Sequence, residues 1–147
     1  MAGGDNERKF VMLNPIDCVK KVVECDNGRD AVGYRAIIHD DYLSFVHGKE
    51  QNVGAEVEVA ALEGWWKATS DVHLEILELA ESDGLVTLRY TLTGTHDGDL
   101  FGRPATGRKF HVENCTLLRV VEGKVQNAYR YSDTLGLMTQ LGTTPSA

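Results

Sequence analysis

The chain has 147 residues, 42% of them hydrophobic and 25% charged, with three cysteines and a formal net charge of -7. That is enough for one domain that buries about 68–70% of its extended surface without metal or disulfide support, and the acidic balance disfavours nucleic acid or an acidic membrane surface, which need clustered Lys and Arg. Apolar runs fall far short of the roughly 20 residues of a bilayer span, and "MAGGDNERKF" lacks the apolar stretch of a secretory signal, so the expected location is cytoplasmic.

Residues 1–13 read as a tail or lead-in, with Met1 to Arg8 loose, 14–142 as one domain and 143–147 as a second tail. Asn14 before Pro15 is a helix start, a side-chain cap followed by a residue whose φ is already helical. Ile16, Val19 and Val23 then recur at i, i+3 and i+7, and "CDNG" ends the helix at Gly28. Cys18 and Cys25 would stand about 10.5 Å apart along it at 1.5 Å per residue, beyond disulfide reach. With Cys115 they read as reduced, mostly buried thiols, the alternative being a nucleophilic Cys115. No CxxC or HExxH spacing suggests zinc.

Asp30 opens a shorter helix with Tyr34, Ile37 and Ile38 on one face. His39, Asp40 and Asp41 read as a charged, solvated turn, and "YLSFVHG" as a strand with His47 at its end. From Ala55 to Thr69, Val59, Leu62, Trp65 or Trp66 and Thr69 recur at helical spacing with Glu56, Glu58 and Glu63 between them. Neighbouring tryptophans lie about 100° apart on a helix, so one enters the core and the other lines a cavity or a subunit contact. Trp66 is assigned to the cavity.

From Asp71 the period becomes two. Val72, Leu74 and Ile76 alternate with polar residues, "SDG" turns the chain, and Val86, Leu88, Tyr90 and Leu92 then point one way. After the glycine-rich loop from Gly94 to Phe110 come two strands joined at Glu122 and Gly123, a tight hairpin signal. Helices first, then a four-strand meander with a strand from the front added, make an α+β layout with helices on one side of a curved antiparallel sheet.

A two-residue turn at Glu122–Gly123 places Tyr129 opposite Thr116, Tyr131 opposite Asn114 and Asp133 opposite Val112, on one face with Leu118, Val120, Val125 and Asn127. His111, Glu113, Arg119, Gln126 and Arg130 take the other face and belong in water. A bulge near the turn shifts this register by one. The inner face grows polar toward Asp133, as a pocket with a few placed polar groups does. Asp133 either caps the helix implied by "TLGLMTQLG" or is a carboxylate at the mouth or floor of an apolar cavity, where desolvation raises its pKa and makes it usable as a general acid or base near neutral pH. Tyr129 and Tyr131 are core aromatics or pocket residues, and His47 is a strand-end residue or a second catalytic group. His73 and His111 fall on polar faces, and no role is assigned to them.

The stretch "LRYTLTGTHDGDLFGRPATGRKFHVENCTLLRVVEGKVQNAYRYSDTLGLMTQLG" resembles the SnoaL-like polyketide cyclase family. It carries that family's Gly-Thr-His-x-Gly, a Gly four residues on, Ala-Thr-Gly, a Gly-Lys turn and a last strand ending in Asp-x-Leu-Gly, without a gap. Tyr129 stands where the family usually has tryptophan, and Ser70 where proline is common. The resemblance implies the nuclear-transport-factor-2-like α+β barrel, a cone-shaped, strongly curved, mostly antiparallel sheet with about three helices around a deep cavity. It also implies dimers or tetramers formed through the outer sheet. It gives Asp133 the role of general acid/base in an intramolecular aldol closure of a polyketide ester, without metal or cofactor. The glycine-rich loop becomes a structural lip and subunit contact rather than a phosphate cradle, with His96 making a turn-stabilising hydrogen bond or facing the entrance.

The expected function is a cofactor-independent lyase or isomerase class enzyme that removes a proton alpha to a carbonyl in a hydrophobic small molecule. Asp133 and His47 are its catalytic residues, and Tyr129, Tyr131, Asn114, Thr116, Trp66, Tyr90 and His96 bind substrate. The alternatives are a non-catalytic cavity protein and a dehydratase or epoxide hydrolase, whose second polar group would come from His47, Asn114 or Tyr131.

Overall fold

The computed structural model describes residues 12–143; the tail expected at Met1 to Arg8 and positions 144–147 lie outside the described residues. Asn14 Oδ1 accepts the Asp17 amide at 2.9 Å, and helix α1 runs Pro15–Asn27, burying Cys18, Val19, Val22, Val23 and Cys25. Its two cysteines are unpaired and buried, and burial pushes the Cys18 thiol up to about 11, where it is inert. Asp30 caps α2, Ala31–Ala36. The third helix, α3, spans Ala55–Ala68, and α4 spans Thr134–Leu141.

The six strands are β1 (Ile38–Val46), β2 (Lys49–Val53), β3 (His73–Ser82), β4 (Leu85–Thr95), β5 (Lys109–Val121) and β6 (Lys124–Tyr131). In space they lie β2-β1-β6-β5-β4-β3, β1 running parallel to β6 and the other neighbours antiparallel. The short polar edge strand β2 is an addition to the expected layout. His39, Asp40 and Asp41 are not a turn but the first turn-ward residues of β1; there Arg35 draws Asp40 to 2.6 Å, and His39 Nε2 meets the Val121 carbonyl at 2.7 Å. The hairpin turns His47–Gly48, Asp83–Gly84 and Glu122–Gly123 each hold two consecutive residues at positive φ, the geometry whose twist matches that of paired strands.

One irregularity decides which side chains reach the interior. Val121 pairs with Lys124 and Val120 with Val125, but Arg119 pairs with Asn127, so β6 carries one extra residue there. Beyond the bulge Tyr129 opposes Leu117, Arg130 opposes Thr116 and Tyr131 opposes Cys115. A one-residue shift exchanges the two faces of a strand. Ala128 and Arg130 therefore turn inward, whereas Asn127, Tyr129 and Tyr131, expected inside, turn outward. Tyr129 stacks on Phe45 with ring centroids 5.2 Å apart, and Tyr131 is half exposed. Arg130 does not stand in water as its place in the pattern suggested. On β4 and β5 the alternation holds: Val86, Leu88, Tyr90, Val112, Asn114, Thr116, Leu118 and Val120 are all buried.

Candidate active site

The concave face of the sheet, closed by α1, α3 and α4, encloses a cavity of about 430 Å³. Its walls are mostly apolar and come from every layer: Val22, Ile38, Leu62, Trp65, Leu74, Leu88, Leu92, Val112, Leu118, Val125 and Ala128. Polar groups are few. Tyr90, Asn114 and Thr116 line it side by side from β4 and β5, with the Tyr90 hydroxyl 3.4 Å from Thr116 Oγ1. The exposed residues among its lining, Gln51, Ala61, Phe101, Asp133 and Thr134, form the rim.

Asp133 sits at that rim and caps α4. Its Oδ1 accepts the Gly136 amide at 2.9 Å, and its own amide donates to Asn114 Oδ1 at 3.0 Å. A side chain at position 136 would begin 2.1 Å from Asp133 Oδ2, so glycine there leaves the carboxylate its seat. The same device occurs at Asp30, whose Oδ1 accepts the Gly33 amide at 2.9 Å. Only the Asp133 copy lines the cavity. Asp133 thus caps the helix and lines the cavity at its entrance, but it is exposed there rather than desolvated as expected.

The remaining sequence-predicted residues are dispersed. Trp66 packs with Ala68, Val72, Leu100, Phe110 and Leu141, and it is Trp65 that lines the cavity. His47 stands at φ 49° in the β1–β2 turn, with Nε2 3.1 Å from the Ser132 carbonyl, clamping the chain one residue before Asp133. His96 is buried, with Nδ1 3.0 Å from Thr106 Oγ1, the turn bond expected of it, and it does not line the cavity. The loop around it docks on the end of α3: the amides of Asp97 and Gly98 donate to the Ala68 carbonyl at 3.1 and 3.0 Å, and a Cβ at Gly98 would lie 2.3 Å from the Lys67 carbonyl oxygen. From that anchor the turn Phe101–Gly102 presents Phe101 at the rim, 79% exposed. Cys115 lies on the outer face of β5, away from the cavity, beside Tyr131.

Two interior carboxyls were not anticipated. Glu58, placed among the solvated glutamates of α3, is 2% exposed and lines the cavity. Its Oε1 takes Arg130 Nη2 at 2.5 Å and the Tyr34 hydroxyl at 2.9 Å; its Oε2 takes Asn52 Nδ2 at 2.6 Å. Arg130 Nη2 also reaches the Tyr42 hydroxyl at 3.2 Å. Burial pulls the Glu58 carboxyl upward, but the Arg130 guanidinium and the donated hydrogen bonds outweigh it and hold Glu58 below the ordinary carboxylate range. Asp26, near the C-terminus of α1, also lines the cavity and accepts Trp66 Nε1 at 2.8 Å. Here burial prevails over Trp66 and the nearby arginines, and the carboxyl is pushed up. Both had a signal in the sequence: Glu58, Leu62 and Trp65 stand at i, i+4 and i+7, as Val19, Val22 and Asp26 stand at i, i+3 and i+7, so each acid shares the apolar face of its helix.

A cavity of this size with a rim carboxylate, a charge-compensated arginine and a row of hydroxyl and amide groups can hold a flat carbonyl compound and move its protons. A model of the SnoaL-like polyketide cyclase family matches residues 16–141. The chain belongs to that family. This SnoaL-like protein is 36% identical over 136 residues to aklanonic acid methyl ester cyclase DnrD of Streptomyces peucetius, covering 89% of this chain and 92% of that one. It is likewise 36% identical over 110 residues to nogalonic acid methyl ester cyclase of Streptomyces nogalater, covering 71% and 80% respectively. Among solved structures, AclR from Streptomyces galilaeus superposes with a TM-score of 0.80 at 27% identity, covering 92% of this chain and 100% of that one. The expected nuclear-transport-factor-2-like α+β architecture is borne out, with the sheet curved and open at both edges rather than closed. The SnoaL-like chain is an enzyme of the cyclase type. Among the described residues no helix is long and apolar enough to cross a membrane.

Proposed function

We propose that this enzyme closes a ring in a flat, largely apolar carbonyl compound by intramolecular aldol chemistry, without metal or cofactor, and that aklanonic acid methyl ester, the compound in the name of its relative DnrD, represents the substrate class. Asp133 is the base. It removes a proton from a carbon flanked by carbonyls, which is acidic enough for a carboxylate, and the resulting enolate attacks a ketone carbon of the same molecule. The observation that carries this reading is the placement of Asp133 on the lining of an apolar cavity, its seat fixed by Gly136 and its main chain by Asn114.

Arg130 supports the developing negative charge from the cavity wall. Its own charge is balanced by Glu58, so it offers hydrogen bonds without holding a permanent anion. Tyr90 and Thr116 supply hydroxyls that orient carbonyl oxygens, and Trp65 a flat apolar wall for a ring system. Association into a dimer or tetramer through the outer sheet, where Tyr131 and Val121 are exposed, and a cytoplasmic location belong to the same reading.

The test is Asp133→Asn assayed on aklanonic acid methyl ester. Asn caps a helix as well as Asp does, so folding and melting temperature stay as they are while kcat falls by about 10²–10⁴, the usual contribution of a general base. Turnover within tenfold of wild type removes Asp133 from the proton transfer.

A further inference from the structure

Asp26 is a carboxyl group in a place that penalises its charge. It lies at the next-to-last position of α1, where the helix dipole is negative and a cation is the favoured neighbour, and it faces an apolar cavity. No salt bridge reaches it among the described residues. Its Oδ1 is fixed by Trp66 Nε1 at 2.8 Å, whereas Oδ2 has no hydrogen-bond partner among the described residues. Among the described residues the only fully enclosed polar side-chain atom without a partner is His96 Nε2, so Asp26 Oδ2 is not sealed in, and the residue itself lines the cavity. A helix face of Val19, Val22 and Val23 could have taken leucine here; instead it carries an acid with one oxygen held by the indole and the other not.

We propose that Asp26 is a second catalytic residue, the acid that protonates the ketone oxygen of the substrate as the ring closes. This rests on the aldol reading of the site. Asp133 takes the alpha proton, the enolate carbon bonds to the ketone carbon, and the carbonyl π pair moves onto oxygen. That oxygen receives the proton from Asp26 Oδ2. Asp26 is left as carboxylate and Asp133 as carboxylic acid, and one proton passed between them through water restores both, so the cycle neither consumes nor releases a proton. The division of labour follows from environment: the rim carboxylate is exposed to solvent, whereas burial of the interior one favours its protonated form. The charged groups that bear on Asp26 are Arg29 and Arg130, which favour its ionised form, and Glu58, which opposes it. Desolvation exceeds their sum.

Two variants test this on aklanonic acid methyl ester. Asp26→Asn keeps the shape and still accepts the Trp66 hydrogen bond but has no acidic proton. We expect kcat to fall by about 10²–10⁴ with KM changed less than about threefold and a melting temperature no lower than wild type. Trp66→Phe removes a hydrogen bond that favours the carboxylate, so Asp26 keeps its proton to higher pH and the alkaline limb of the kcat/KM profile moves upward. A purely structural Asp26 would leave that limb where it is. Asp26→Asn turning over within tenfold of wild type overturns the inference, and so does an unmoved limb in Trp66→Phe, which also decides the matter if Asp26→Asn does not fold. If Asp133→Asn is impaired while Asp26→Asn is not, the cyclase reading stands and only this inference falls. A wild-type protein that leaves the ester open overturns the cyclase reading and this inference with it.

Discussion

Glu58 and Asp26 line the same cavity as Asp133, but the interior wall and the rim hold their carboxyls by different means. At the rim, Asp133 is solvated and seated by a single backbone amide at 2.9 Å. In the interior, Glu58 is 2% exposed and carries a guanidinium, a phenol and an amide as partners, while Asp26 has one indole N–H. Two carboxyls on the interior wall, Glu58 buried and Asp26 partly so, are thus driven in opposite directions, Glu58 down and Asp26 up. The difference shows that burial alone does not set the protonation state. What decides is whether a cation comes with the acid.

The sharpest way to break this contrast is Arg130→Leu. It fills similar space but leaves Glu58 buried and unpaired, and removing one partner of such a pair destabilises by about 3–5 kcal/mol. Urea unfolding of the variant should show that loss, and Glu58→Gln combined with Arg130→Leu should recover most of it, because the stranded charge is gone. Arg89 on the outer face pairs with the exposed Glu78 and Glu113 at 3.0 and 2.8 Å, and its replacement should leave the unfolding midpoint nearly unchanged. A double variant no more stable than Arg130→Leu would mean that Glu58 does not depend on the ion pair.

A smaller effect, of opposite sign in the two variants, should appear in stability measured against pH. Glu58 titrates lower in the folded protein than in the unfolded chain, where glutamate titrates near about 4.3. Its contribution is therefore full above that value and is lost as pH falls through the lower folded value. Asp26 titrates higher when folded than its unfolded value of about 3.9, so its ionisation weakens the fold increasingly as pH rises above that value. Glu58→Gln should then be less stable than wild type at neutral pH, and Asp26→Asn more stable. Both differences should shrink toward zero in acid. Differences of the same sign at pH 7 would contradict the assignment of the two acids.

The helix caps, the turns and the alternation of β4 and β5 could be read in the sequence because each is local: Asn14–Pro15, Glu122–Gly123, and Leu88 to Leu92 at period two. Glu58 and Asp26 could be found by counting helical turns, since each lies on its helix's apolar face and an acid there is the signal; by local pattern Glu58 is a polar residue between apolar ones and Asp26 part of the helix-ending "CDNG". The inward turn of Arg130 had no such signal. It depends on one extra residue on β6 between Val125 and Asn127, a stretch with neither glycine nor proline to mark a bulge, and that residue moves Tyr129 and Tyr131 from the cavity to the outer face. The choice of Trp65 over Trp66 was likewise beyond local pattern, because it depends on how α3 is rotated over the sheet, which Asp26 fixes by taking the Trp66 N–H.

The finest comparison uses the cap that occurs twice. Gly33 and Gly136 each leave room for the aspartate three residues earlier; an added Cβ would lie 2.3 Å from Asp30 Oδ2 in one and 2.1 Å from Asp133 Oδ2 in the other. Replacing either glycine with alanine swings the carboxylate aside and loses a cap hydrogen bond, about 1 kcal/mol, against which alanine's better helix propensity returns a comparable amount. Gly33→Ala and Gly136→Ala should therefore shift the melting temperature equally and by little. Their effects on turnover should differ, because only Asp133 faces the cavity: Gly136→Ala should lower kcat on aklanonic acid methyl ester several-fold while Gly33→Ala leaves it unchanged. Equal kinetics in the two variants would mean that the seat of the rim carboxylate is a helix cap like the other and contributes nothing to the reaction.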